Sequence, residues 1–402
     1  IFGYFPSLES NPPEAGPENE SQKVPRKKQN PTAKQSKQGK QTPTMEGAER
    51  NMQTSPHGGD LQTAESTYGG KVLDFSANLN PLGMPEAVRR AAATSVAEAI
   101  HYPDPYCREL KKAIARHDQI PNTNWVICGS GAADIIFRLA LVLGAEKALV
   151  TAPTFSEYET ALAWSGCQIL YHPLSPEQNF DLTDAILDGI TDDLSVLFLC
   201  TPNNPTGRLI PHDLLLEILQ RCRRTGTRLV LDECFLPLSD GAGLGMSRWM
   251  SEYLFLLRAF TKSYAVPGLR LGYGLTSDRR LQEALDQAGP PWSVSVPAQA
   301  AGIAAFQECP NWPEEARNFL AKERPRLTEA LRALGLTVTE GQANYLLFRA
   351  EHITDLKERL LERGILIRSC ANYHGLGPDY YRVCVRLESD NQRLLAALQE
   401  VL

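Results

Sequence analysis

Two stretches decide the fold: SVLFLCTPNNPTG (Ser195–Gly207) and RLVLDECF (Arg228–Phe235). Each opens with a run that is apolar at every position instead of every second one. That marks a strand buried on both faces of a helix-covered parallel sheet. HDLLLEILQRCRRTG (His212–Gly226), between them, carries its apolar residues at helical spacing. Working outward, the same alternation recurs. WVICG (Trp125–Gly129), KALVTA (Lys147–Ala152), QILYHPL (Gln168–Leu174), YLFLLRAF (Tyr253–Phe260) and LRLGYGL (Leu269–Leu275) read as further strands. DIIFRLALVLGA (Asp134–Ala145), EYETALAWSG (Glu157–Gly166) and LTDAILDGI (Leu182–Ile190) read as helices. The expectation is an α/β domain with a mostly parallel, seven-stranded sheet.

The C-terminal third has another rhythm. A helical stretch runs to about Leu334, and then LTVTE (Leu336–Glu340), ANYLLFRA (Ala343–Ala350), ILIRS (Ile365–Ser369) and RVCVRLE (Arg382–Glu388) lie between helices. This reads as a smaller α+β domain. The division expected is an arm and part of the small domain over 56–100, the large domain over 101–295 and the small domain over 296–402. Residues 1–55 differ sharply. From about Asn11 to Gln53 they are rich in Pro, Gln, Lys, Glu, Ser and Thr with hardly an aliphatic residue. Too little apolar surface is present to offset the entropy of ordering, so a disordered extension is expected. Met45 and Met52 stand just before the regular part, and the reading takes the stretch as a linker or an upstream extension of the true start.

Composition narrows the function. With a net charge of −6 over 402 residues, the chain is not one held to nucleic acid by bulk charge. No apolar run approaches the ~18 residues of a membrane span, and the N-terminus lacks a basic-then-apolar signal. The nine cysteines are scattered, without CxxC or zinc spacing, and read as buried free thiols in a reducing compartment. A cytoplasmic enzyme that uses no metal is expected.

Four segments carry chemistry. CGSGAADIIFRL (Cys128–Leu139) ends a strand, turns on small residues and opens a helix near Ala132. Unpaired N–H groups at a helix start suit a phosphate, although glycine there is also ordinary punctuation. CTPNNPTG (Cys200–Gly207) follows a buried strand, where loops face the ligand crevice of an α/β sheet. Pro202, Asn203 and Pro205 would also make a plain turn. Asp232 and Glu233 follow four apolar residues. A buried carboxylate needs a cationic or hydrogen-bonded partner, either a protonated heterocyclic nitrogen or a structural ion pair. In RAFTKSYAVPGLRLGYG (Arg258–Gly274), Lys262 stands between Thr261 and Ser263, with Arg270 eight residues on. A partly desolvated lysine becomes a nucleophile toward carbonyls, and an arginine suits a phosphate.

In order and spacing these segments resemble the pyridoxal-phosphate enzymes of the aspartate-aminotransferase fold, over about His57 to Leu402. The resemblance implies that Lys262 forms the Schiff base with the cofactor and that Asp232 pairs with its ring nitrogen. It implies Asn204 on the ring hydroxyl and Phe155 of PTFSEYE (Pro153–Glu159) stacked on the ring. Ala132, Ala133, Thr261 and Arg270 would hold the cofactor phosphate. Tyr102 in HYPDP (His101–Pro105) resembles the tyrosine that reaches that phosphate from a second subunit, which implies a homodimer. Two departures stand out: Phe235 where many relatives have tyrosine, and Ala259 where they have serine.

Within that family, HGGD (His57–Asp60), DFSANLNPLG (Asp74–Gly83) and GILIRSCANYHGLGPDYYRVCVR (Gly364–Arg386) look most like the threonine-phosphate decarboxylases. Those enzymes make aminopropanol phosphate for cobalamin. A substrate with a carboxylate and a phosphate needs two anion sites, which forked guanidinium groups serve. By the resemblance, Arg382 takes the carboxylate, and Arg368 with His57 the phosphate. Without the motif His57 reads as a lone histidine near a flexible terminus, and Arg386 as a surface strand charge. The alternatives are an aminotransferase of the histidinol-phosphate type and, in another class, a cofactor-binding regulator. The regulator needs a helix-turn-helix, for which the first 55 residues have no apolar helical pattern.

Overall fold

The structure is a computed structural model, and it describes residues 57–402. The expectation of disorder over 1–55 therefore lies outside the described residues. The chain runs through α1 (Leu61–Tyr68), β1 (Leu73–Asp74), α2 (Glu86–Ser95) and α3 (Arg108–His117) before it enters the large sheet. There it alternates β2 (Val126–Gly129), α4 (Ala132–Leu143), β3 (Lys147–Ala152), α5 (Ser156–Trp164), β4 (Gln168–Pro173) and β5 (Val196–Cys200). It continues with α6 (His212–Thr225), β6 (Arg228–Asp232), β7 (Leu254–Ala259), the single turn α7 (Phe260–Ser263), β8 (Gly272–Leu275) and α8 (Arg279–Ala288). α9 (Val296–Glu308) and the long α10 (Trp312–Ala333) follow. Last come β9 (Thr337–Val338), β10 (Tyr345–Arg349), α11 (Leu356–Leu361), β11 (Ile365–Leu366), β12 (Arg368–Ser369), β13 (Tyr380–Cys384) and α12 (Glu388–Val401).

The seven expected strands form one sheet in the order β2-β8-β7-β6-β5-β3-β4. β8 is antiparallel to both its neighbours, and the other pairs are parallel. Period-2 alternation sends successive side chains to opposite faces. Leu197, Leu199, Leu229, Leu231, Leu254 and Leu256 join the core on one face. Phe198, Val230, Phe255 and Leu257 join the other, against Ile135, Ile136 and Leu139 of α4. Ala298 and Ala301 of α9 and Leu110 of α3 lie in the same core as Leu199.

Two local expectations change. QILYHPL is half exposed along its length, on β4, which is one of the sheet's two edges and has β3 as its one partner. LTDAILDGI forms a 3-10 helix over Asp184–Gly189 instead of an α-helix. The segment is only six residues long, and the tighter helix is the form commonly used in short connecting pieces.

A separate core holds the C-terminal elements. β12-β13-β10-β9 form an antiparallel sheet, with Leu320 and Leu327 of α10 and Leu394 of α12 in the core with Leu346, Phe348 and Val383. The segment after α1 ties the two sheets together. β1 pairs with β11, Cys384 N–H donates to Phe75 O at 2.9 Å, and Asn80 N–H donates to Lys262 O at 3.0 Å.

Gly274 fits β8 only because it lacks a side chain. A Cβ there would lie 2.4 Å from Cζ of the fully buried Phe255. Gly274→Ala is expected to destabilise by ~1–3 kcal/mol through overpacking. Adding Phe255→Leu should recover part of that loss, as a chemical-denaturation double-mutant cycle would measure.

Candidate active site

The carboxyl ends of β5, β6 and β7 open into a cavity of about 370 Å³. It is lined by Lys262, Asp232, Asn204, Phe155, Ala132, Ala133, Thr261, Arg270, His57, Arg368 and Arg382. Thus twelve expected site residues minus Tyr102 converge on one space. Tyr102 stands elsewhere on this chain, 78% exposed and stacked on Trp292 with ring centroids 4.5 Å apart.

Asp232 ends β6 opposite Cys200 of β5 and is buried. Its Oδ1 accepts from Cys234 N–H at 2.8 Å and its Oδ2 from Tyr158 O–H at 2.6 Å. Burial raises its pKa, opposed by those bonds and by the Lys262 ammonium. Glu233 faces the other way and meets a structural partner: Arg258 lies at 2.5 Å, and Met246 N–H donates to it at 2.8 Å.

Lys262 sits in α7, whose backbone is clamped by Asn80: the amide Nδ2 donates to Ser263 O at 2.8 Å. Burial, then the charges of Arg382 and Arg270, lower the lysine pKa to about 8. Its Nζ lies 5.6 Å from the centroid of Phe235, one of the two departures from the family pattern.

The turn before α4 is built for an anion. Gly131 caps the helix with no side-chain hydrogen bond, so first-turn N–H groups stay open. At φ 89° a Cβ on Gly131 would come within 2.7 Å of Arg270 Nη2, so glycine is what lets the guanidinium approach. Thr261 is buried beside it on the cavity wall.

The loop after β5 is held at several points. Asn203 accepts from Thr154 Oγ1 at 2.9 Å and donates to Pro153 O at 3.0 Å, which fixes the approach to Phe155. Asn204 Oδ1 accepts from Arg382 and, at 3.3 Å, from Tyr373 O–H, leaving Nδ2 as its donor. Arg382 also donates to Ser76 O at 3.0 Å. Arg368 and Arg382 are cross-strand partners on β12 and β13, and both are buried. Arg368 donates to Asn372 Oδ1 at 2.6 Å. Two like charges side by side are unfavourable unless anions join them. Arg386 lies outside this wall, paired with Asp390 at 2.9 Å.

His57 reaches the rim because Gly58 packs on the Ser76 carbonyl, where a Cβ would clash at 2.2 Å. His57 Nε2 lies 2.9 Å from Glu157 Oε1. Sequence reasoning missed Asn78, Tyr158, Glu157 and Tyr373, all of which line the cavity. Asn78 is 2% exposed and neither side-chain amide atom has a protein partner. Its signal was present in DFSANLNPLG, where a polar residue sits between Ala77 and Leu79. A second cleft, of about 320 Å³, lies near Asp118, Glu233 and Arg258, whose charges are already paired with one another.

A lysine pKa near 8 predicts that acetic anhydride labels Lys262 of the apoprotein half-maximally near that pH. Surface lysines should need about pH 10.4. The neutral, reactive amine dominates above its pKa, and peptide mass spectrometry reads the labelling at each pH.

Comparison with known proteins agrees with this geometry. The family described as aminotransferase class I and II matches residues 70–398. The chain is 44% identical over 354 residues to the threonine-phosphate decarboxylase of Salmonella typhimurium, covering 87% of this chain and 97% of that one. It is similar to the crystal structure of histidinol-phosphate aminotransferase from Clostridium acetobutylicum, at TM-score 0.76 and 29% identity, covering 82% and 99% of the two chains. The fold also matches histidinol-phosphate aminotransferase from Sinorhizobium meliloti in complex with pyridoxal-5'-phosphate, at TM-score 0.77 and 23% identity, covering 85% and 94%. With a buried lysine and carboxylate in one cavity and a family match spanning most of its length, the chain belongs to the class I and II aminotransferases.

Proposed function

We propose that this chain decarboxylates L-threonine O-3-phosphate to (R)-1-amino-2-propanol phosphate and CO2, using pyridoxal phosphate, as a step of cobalamin biosynthesis. The observation that carries the reading is the pair Arg368 and Arg382, adjacent across β12 and β13 and lining the cavity that contains Lys262 and Asp232. A substrate with two anionic groups matches two buried guanidinium groups. The 44% identity to the Salmonella decarboxylase supports the same substrate.

The residues fit the cofactor. An open helix N-terminus beside Arg270 suits its phosphate, and a buried carboxylate suits a protonated ring nitrogen. Lys262 would hold it through its amine, with Asp232 at the ring nitrogen, Asn204 Nδ2 at the ring hydroxyl and Phe155 against the ring. Ala132, Ala133, Thr261 and Arg270 would hold its phosphate. The bound cofactor supplies an electron sink for the pair released when a bond at the substrate Cα breaks.

The chain's own residues would select which bond. Arg382 would anchor the substrate carboxylate, while Arg368 and His57 would hold its phosphate. Those two anchors set the orientation of Cα. After CO2 leaves, Lys262 Nζ would deliver a proton to Cα, so that one hydrogen replaces the carboxylate. Transfer of the amino group is the competing outcome, and it requires a 2-oxo acid acceptor.

A homodimer in the cytoplasm completes the proposal. Val96, Ile100, Tyr102, Tyr106 and Trp292 are all exposed apolar residues, with Ile100 at 83%. Such a patch suits a second copy, whose Tyr102 would reach the cofactor phosphate. All nine cysteines are free, which suits a reducing compartment. Among the described residues no helix is long and apolar enough to cross a membrane.

Incubation with threonine phosphate and pyridoxal phosphate, without any 2-oxo acid, is expected to release CO2. Turnover that appears only with an added 2-oxo acid would establish the aminotransferase instead. Lys262→Ala should leave no cofactor covalently attached after borohydride reduction, as intact-protein mass spectrometry would register.

Arg368→Ala should weaken threonine phosphate ~10- to 150-fold, the cost of a charge-assisted bond, while cofactor stays bound. His57→Ala should cost less. Equal losses for threonine and its phosphate ester would move Arg368 to the carboxylate.

A further inference from the structure

The carboxylate of Asp232 is useful to a bound heterocycle only if it stays ionised and keeps one orientation. Both are in question at this site, because Asp232 is 5% exposed and ends a strand packed on both faces. We propose that Tyr158 is a positioning residue for the reaction, holding the Asp232 carboxylate ionised and aimed at the cofactor's ring nitrogen. The proposal rests on the pyridoxal-phosphate reading above.

The geometry is specific. Tyr158 has no exposed surface, and its hydroxyl donates to Asp232 Oδ2 at 2.6 Å. The other oxygen, Oδ1, accepts from the backbone N–H of Cys234 at 2.8 Å. One donor is therefore fixed by the main chain, and the other depends on a single side chain. The phenol cannot swing away. Its ring packs edge-on to Phe155 at 5.5 Å and against Phe198 of β5 at 5.3 Å. Phe155 and Tyr158 are one turn apart at the start of α5, so one helix end delivers both a cavity ring and the bond behind Asp232.

The surroundings leave few other sources of support. Asp232 is faced by Tyr158 from α5, Cys200 from β5, Cys234 after β6, Lys262 from α7 and Tyr345 from β10. Of these, Lys262 alone carries positive charge. Burial pushes the thiols of Cys200 and Cys234 upward, so both stay neutral at physiological pH. Burial raises the Asp232 pKa, and the bonds from Cys234 and Tyr158 oppose that rise. Without the phenol hydroxyl, burial gains ground and the carboxyl takes up its proton at higher pH.

The test uses the holoenzyme loaded with pyridoxal phosphate carrying 15N in the ring. Wild type is compared with Tyr158→Phe and with 3-fluorotyrosine at 158, a stronger donor of nearly the same shape. In Tyr158→Phe the ring 15N resonance should move toward the unprotonated position, and the acid limb of the kcat profile should move to higher pH. kcat should fall about tenfold, or ~1.4 kcal/mol in barrier, with KM for threonine phosphate little changed. The fluorinated enzyme should shift the acid limb the opposite way, which keeps the test alive if Tyr158→Phe does not fold. A ring resonance and pH profile that stay at wild-type values in both proteins overturn the proposal and leave the functional reading standing. Wild type that takes up no cofactor overturns both.

Discussion

Two adjacent carboxylates at the end of one buried strand set the terms for this molecule. Asp232 and Glu233 follow the apolar run of β6, and neither can be left uncompensated there. Alternation sends them apart. Glu233 meets Arg258, which also binds Asp118 at 2.9 Å, so an ion cluster joins α3, β6 and β7 behind the sheet. Asp232 turns into the cavity and is held by Tyr158 and Cys234 N–H. The same register thus builds a structural clamp on one side and a cavity-lining carboxylate on the other.

The cavity is otherwise rich in positive charge. Lys262, Arg270, Arg368 and Arg382 line it, and Arg382 is met by the neutral partners Asn204, Ser76 and Tyr373. That excess explains why Arg382 and Arg270 add to burial in lowering the Lys262 pKa. It also makes the space receptive to a cofactor phosphate and a doubly anionic substrate. Burial is the larger cause of the lowered lysine pKa, and the clustered guanidinium groups add to it while making the space electrostatically favourable to anions.

The segment Leu73–Asn80 gives this electrostatics a fixed frame. It bonds to β11 and to β13, and Asn80 grips both Lys262 O and Ser263 O. Ser76 O meanwhile accepts from Arg382. A short extended stretch therefore holds the lysine of one sheet and the arginine of the other in mutual register. Asn78, pointing into the same space with its amide unpartnered, gains its place from that frame.

The sequence by itself determined the alternation of strands and helices, because apolar runs such as SVLFLC and RLVLDE can be satisfied only by burial on both faces. It also determined the lysine, the carboxylate and the helix-start turn, since each sits next in the chain to a strand end. Tertiary structure decided what lies far apart in the chain. Tyr158 meets Asp232 across 74 positions, and Arg382 meets Asn204 across 178. It decided that β8 runs antiparallel, that β4 is an edge and that Tyr102 stays outside its own chain's cavity. Local pattern records burial and turn chemistry within a few residues. Which strands become neighbours, and hence which side chains share a cavity, depends on packing the whole sheet, and no segment contains that information alone.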